Sequence, residues 1–170
     1  MSETRSRISR YVRTHPGVHF NELVRELDLA TGQVQYHLKQ LRAADELLAE
    51  SLYGQTHYYP PGYDEWERGA LALLRRETSR DVLFALLEGG PERPQQVAED
   101  LNIARSTLEW HLDRLVERDL VEKRRDERNR VTLALTRPAE TATLLDVISP
   151  SLPERMVDRF ERLVDSLLSS

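Results

Sequence analysis

The stretch Lys123-Arg124-Arg125-Asp126-Glu127-Arg128-Asn129-Arg130 sets five cations against two carboxylates. Guanidinium and ammonium groups at that density suit the oxygens of a phosphodiester backbone. Two further sets of polar side chains lie on stretches with helical apolar spacing. Thr31, Gln33, Gln35, Tyr36, Lys39 and Gln40 form a nearly neutral set. In it Gln can pair bidentately with adenine, and Tyr or Lys can hold a phosphate. Arg105, Ser106, Thr107, Glu109, Trp110, Asp113 and Arg114 form a charged set. There Arg105 suits guanine or phosphate, Glu109 can accept from cytosine, and Asp113 repels phosphate. The competing reading of this second set is a protein-binding face anchored by Trp110.

Other chemistries find little support. The chain has no cysteine, which excludes disulfides, thiolate zinc sites and cysteine nucleophiles together. His15, His19 and His57 lack the paired spacings that zinc ligands use. His37 and His111 each precede a leucine of a predicted core face, and read as half-buried packing residues with one hydrogen bond. The few glycines mark breaks between elements, and none builds a phosphate-binding loop. Glu109 and Asp113 share a helical face, where like charges at that spacing are ordinarily solvated surface. The expectation is a protein with no catalytic residues, no metal and no cofactor.

The elements that must position these groups appear when the chain is laid on itself. At a shift of 74 residues, Leu27, Ala30, His37, Leu38 and Leu41 fall on Leu101, Ala104, His111, Leu112 and Leu115. Ile8 and Val12 fall on Val82 and Leu86 in the same register. An apolar pattern kept across three predicted helices indicates a duplicated domain. In the first copy the helices run over 6–14, 20–27 and 31–43, followed by strands 47–50 and 56–59 around Tyr53-Gly54-Gln55. In the second they run over 79–87, 95–101 and 105–118, followed by strands 120–123 and 131–135 with 124–130 at the tip. Asp28 and Asn102 stand at equivalent places before the third helix, and both tolerate a left-handed backbone. Three helices and a two-stranded wing describe a winged helix-turn-helix.

The expected fold class is therefore mainly α with small β-hairpins (α+β), as two tandem winged helix-turn-helix domains plus a C-terminal helix. The boundaries are a first domain at 1–62, a connecting helix at 63–78, a second domain at 79–137 and a helical segment at 138–170. In that last segment Met156, Phe160, Leu163, Val164 and Leu167 follow helical spacing, opposite a charged face. Such a stripe serves dimerisation or covers the chain's own core, and the expectation is a homodimer. Third helices fit the major groove, and the first wing adds Tyr53, Gln55 and His57 where the second adds Arg124, Arg125, Arg128 and Arg130.

The motifs "VQYHLKQL" (34–41) and "LEWHLDRL" (108–115), each before a hairpin, resemble the third helix of winged-helix transcriptional regulators. The broad relatives are the MarR and ArsR classes, and especially the tandem winged-helix regulators of archaea. The stretches "LLRRETSRDVLFAL" (73–86) and "PSLPERMVDRFERL" (150–163) resemble the archaeal group as well. Gln35 and Glu109 stand where that family often has a small hydroxyl residue. The resemblance implies a sequence-specific regulator of double-stranded DNA. The alternative is a tandem winged-helix scaffold for protein complexes, such as those of chromosome segregation, polymerase association or membrane remodelling.

Composition fits either. The 170 residues allow one ordinary domain or two small ones. No apolar run approaches the ~20 residues of a membrane helix, and Met1–Arg13 is too polar for a signal peptide, so a soluble, cytoplasmic protein is expected. Of 24 basic residues only Lys39 and Lys123 are lysines, beside 29 carboxylates and a net charge of −5. Arg over Lys with abundant acids resembles proteins of salt-loving archaea, or reflects GC-rich codons. No segment is strongly basic overall, so a nucleic-acid surface must be local. No separate effector domain is evident, and no small-molecule partner is expected.

Overall fold

The structure, a computed structural model, describes residues 2–149 and residue 165. The chain divides into two units, Met1–Ala72 and Leu73–Ser170. The boundary falls inside a helix, whose Ala70–Leu74 stretch is fully buried.

The first unit holds α1 (Glu3–Thr14), β1 (Val18–His19), α2 (Phe20–Leu27), α3 (Thr31–Ala43), β2 (Leu48–Leu52) and β3 (Gln55–Tyr59), and α4 (Glu65–Leu74) follows. Ser2 starts α1, its hydroxyl accepting from the Arg5 amide at 3.1 Å, which satisfies one donor the helix leaves open. His19 does the same for α2 through Nδ1 and the Glu22 amide. Asp28 ends α2 at φ 51°, in the left-handed region its short polar side chain tolerates. The chain then turns directly into α3. Ile8, Val12, Leu23, Val34, Leu38 and Leu41 meet in a core where each is at most 3% exposed. Burying side chains of this size stabilises by roughly 1.5–3 kcal/mol apiece.

The wing differs from the two-stranded hairpin read from the sequence. Its sheet has the order β1-β3-β2, with Val18 opposite Tyr58 and Leu52 opposite Gln55. A two-residue strand such as β1 carries no periodicity, so only its tertiary partner reveals it. The turn is the pair Tyr53-Gly54, both with positive φ (47° and 83°), one residue shorter than the sequence suggests. Two positive φ values in a two-residue loop match the right-handed twist of the strands.

The second unit repeats the order with α5 (Glu77–Gly89), α6 (Pro94–Leu101), α7 (Arg105–Glu117), β4 (Val121–Arg125) and β5 (Val131–Leu135), then adds α8 (Pro138–Ile148). Asn102 closes α6 at φ 55°, as Asp28 closes α2. Asp45 and Asp119, which also correspond, take φ 55° and 59° after the third helices. Val82, Leu86, Val97, Leu108, Leu112 and Leu115 form the equivalent core. A single bridge, Glu92 to Leu133, stands where the first unit has β1. Strand β4 runs on to Arg125, so Arg124 and Arg125 belong to the strand and the tip is 126–130. Both units are winged helix-turn-helix frames, mostly helical with small antiparallel sheets. Residues 150–164 and 166–170, with Met156, Phe160, Leu163, Val164 and Leu167, lie outside the described residues.

Candidate nucleic-acid interface

The third helices are fixed to the first helices by the two equivalent histidines. Arg5 Nε donates to His37 Nδ1 at 3.3 Å, and Ser79 Oγ lies 3.5 Å from His111 Nδ1. Both rings are half-buried, and each has the hydrogen-bond partner that a packing role requires. Burial, reinforced by the charges of Arg114 and Arg76, lowers the His111 pKa and favours the neutral imidazole.

With its inner face held this way, α3 presents Thr31, Gln33, Gln35, Tyr36, Lys39 and Gln40 outward, all exposed. The Gln33 carbonyl accepts from the Ala30 amide at 3.3 Å, which closes the first turn and leaves its amide group outward. Thr31, Gln35, Lys39 and Gln40 have no side-chain partner among the described residues. Tyr36 stands 56% exposed with its ring edge-on to His37. The face is polar and neutral but for one lysine, with Gln33 and Tyr36 its only members whose side chains meet a partner among the described residues.

Helix α7 presents its set quite differently. Glu109 Oε1 accepts from Arg105 (Nε 3.1 Å, Nη2 3.0 Å) and Oε2 accepts from Lys123 Nζ at 3.0 Å. Both carboxylate oxygens are therefore engaged within the unit, so a cytosine amine would compete with Arg105 and Lys123 for Glu109. Burial alone would raise the Glu109 pKa, but the hydrogen bonds from Lys123 and Arg105, with their charges, outweigh it and hold the carboxyl below its ordinary range. Arg114 lies 3.7 Å above the Trp110 ring, a cation–π contact that stiffens the exposed indole. Ser106, Thr107 and Asp113 are exposed.

The wing divides its cations between two faces. Paired residues of an antiparallel ladder share a face, and successive residues alternate. Val121, Lys123 and Arg125, opposite Leu135, Leu133 and Val131, lie on the side that meets α7 through Lys123. Glu122 and Arg124, opposite Ala134 and Thr132, lie on the other. Arg124 pairs with Glu122 at 2.6 Å and lines a cavity of about 680 Å³ with Leu86, Leu87, Leu135 and Ala142. Asp126 organises the tip, accepting from the amides of Arg128 (2.9 Å) and Arg130 (2.8 Å) and from Arg130 Nε (2.8 Å). Those bonds hold its pKa below the ordinary range. Arg125 donates to the Asn129 carbonyl at 3.2 Å, and the Arg128 guanidinium has no partner among the described residues.

The structure thus brings Arg105 together with the wing through Lys123, a wing cation whose link to α7 the sequence reading did not draw. Strand alternation was the available signal, since Lys123 and Arg125 share a parity that Arg124 does not. In the first wing His57 is 1% exposed, with Nδ1 2.7 Å from the Gly17 carbonyl. It turns inward and cannot serve as an exposed wing contact. No cluster of metal-ligating residues occurs among the described residues, and none of their helices is long and apolar enough to cross a membrane.

Comparison with known proteins follows this division of the chain. Residues 2–71 match the protein-family model described as an N-terminal HTH domain, and residues 73–124 match one described as a helix-turn-helix domain. The chain therefore carries two helix-turn-helix domains in tandem. It is 28% identical over 131 residues to an uncharacterized HTH-type transcriptional regulator of the archaeon Methanocaldococcus jannaschii, a stretch covering 77% of this chain. The chain spans only 33% of that relative's length. Among solved structures it is similar to overoxidized AbfR bound to DNA, with a TM-score of 0.43 and 17% identity over 81% of this chain and 92% of that one. Reduced AbfR bound to DNA gives a TM-score of 0.41 and 17% identity over 87% and 93%.

Proposed function

We propose that the protein is a sequence-specific regulator of transcription that binds double-stranded DNA through its winged helices, of the broad MarR/ArsR type. The observation that carries this reading is the outer face of α3: a row of exposed amide, hydroxyl and phenol groups, of which Thr31, Gln35 and Gln40 have no side-chain partner among the described residues, on a helix anchored from behind. Such a face fits a major groove, and its donors and acceptors suit base edges. The second unit adds backbone grip through Arg105, Arg114, Arg125 and Arg128, with Ser106, Thr107 and Trp110 beside them. The likeness to an HTH-type transcriptional regulator supports the assignment. The protein acts in the cytoplasm and carries out no catalysis.

It binds as a homodimer, because regulators of this fold read two half-sites related by two-fold symmetry. The apolar stripe Met156, Phe160, Leu163, Val164 and Leu167 supplies the sequence basis for the contact. Phe160→Asp with Leu163→Asp should halve the mass seen by light scattering, and a monomeric wild type refutes the dimer.

The test of function is selection of bound fragments from sheared genomic DNA across a potassium chloride series. A few fragments sharing a roughly palindromic site establish the specific regulator. Uniform recovery that vanishes with salt means backbone binding without reading. A second reading, a protein-binding scaffold, is favoured by the 53% exposed Trp110 and the internally paired cations around it. Absence of recovery at every salt concentration selects it.

A further inference from the structure

We propose that Arg105 and Lys123 form a phosphate site on the second unit whose resident counterion is Glu109, and that a DNA backbone phosphate docks there by displacing that carboxylate. The inference rests on the DNA-binding reading above and names one contact within it.

Arg105 lies in the first turn of α7, and Lys123 lies on β4. Their charged groups nonetheless converge on one carboxylate, each within 3.1 Å. Two cations from separate elements aimed at one point, with two acceptor oxygens between them, form the arrangement a phosphate's oxygens would satisfy. The positive end of the α7 dipole adds to the attraction. The site opens to solvent, with side chains of Arg105, Glu109 and Lys123 exposed by 46%, 34% and 38%. Ion pairs that exposed are weak, so exchange of one anion for another is cheap.

The first unit has no such arrangement. Thr31, Gln35 and Ala49 occupy the places of Arg105, Glu109 and Lys123, and none of them is charged. The carboxylate also predicts a measurable signature. A phosphate docked between Arg105 and Lys123 releases counterions from DNA, but the freed Glu109 then gathers a cation of its own. The wild-type salt dependence is accordingly shallower than its cations alone would give.

The experiment uses the full chain and a labelled duplex of random sequence, with binding followed by fluorescence anisotropy across a potassium chloride series. Glu109→Gln should bind several-fold tighter at the lowest salt and steepen the slope of log K against log salt by about one. Adding Lys123→Ala to it should return the slope to about the wild-type value. A Glu109→Gln slope and affinity equal to wild type overturn the proposal. So does weaker binding at every salt by a variant whose thermal unfolding is unchanged, because Glu109 would then be contributing to the complex itself. If the wild type binds no duplex at any salt, the DNA-binding reading fails, and this contact fails with it.

Discussion

The two winged helices share a backbone and differ in almost everything they show to solvent. In the first, α3 turns out a face whose one charge is Lys39, with open hydrogen-bonding groups, and the tip is the uncharged pair Tyr53-Gly54. In the second, α7 and its wing are dense in charge, yet most of that charge is already spent on internal partners: Arg105 and Lys123 on Glu109, Arg124 on Glu122, Arg130 on Asp126. Core leucines and left-handed turn residues recur at matching positions because the frame depends on them. The outward positions carry no such constraint. A duplicated domain can therefore keep one geometry while its copies show different chemistry to solvent, one a face of open hydrogen-bonding groups and the other a set of paired charges.

If the frames are equivalent, equivalent core truncations should cost alike. Leu38→Ala and Leu112→Ala each remove a side chain no more than 3% exposed, and each should cost about 2–5 kcal/mol by urea denaturation. A cost near zero for either would separate the frames that the sequence pairs.

The surfaces should then part company. Arg125→Ala with Arg128→Ala should flatten the salt slope of DNA binding by nearly two, since neither guanidinium is held by a carboxylate among the described residues. Arg124→Ala with Arg130→Ala removes as many charges, but those are paired with Glu122 and Asp126, and the slope should change by less than one. Equal slopes for the two pairs would remove the distinction between free and spent cations.

A smaller effect is local to the second tip. Asp126→Ala should speed amide exchange at Arg128 and Arg130 and leave α7 unaffected, because one carboxylate accepts both amides. Its pKa is lowered in the folded chain, so this ordering is present above the ordinary carboxylate range and is lost as pH falls through the lowered value. Protection at the tip amides, taken relative to their intrinsic exchange rates at each pH, that persists in acid would contradict that role.

The smallest effect concerns His111. Its pKa lies below the ordinary 6.5 in the folded chain, so on acidification the unfolded chain takes up the proton first. Stability should decline as pH falls from about that value toward the lowered one, then level off for this group. His111→Asn should remove that part of the thermal shift, and an unchanged pH dependence would discount it.

Much of the frame is legible in the order of residues alone. The repeat register, the apolar rows of α1 to α3 and α5 to α7, and Asp28 and Asn102 as turn residues all rest on local chemistry that a sequence displays. Strand β1 and the Glu92–Leu133 bridge were not visible, because one or two residues hold no period and their partners lie far along the chain. The inward turn of His57 escaped for a related reason: its acceptor, the Gly17 carbonyl, lies forty residues away in the turn before β1. The candidate interface was legible as a set of residues but not as a set of pairs.

Helical period and turn residues act over a few residues at a time, and with the repeat spacing they already specify a duplicated winged helix-turn-helix. Which cations remain available depends on how distant elements pack. Glu109 and Lys123 are fourteen residues apart and meet only because β4 packs beside α7. Arg124 parts from Lys123 only because the strand's pleat turns neighbouring side chains to opposite faces.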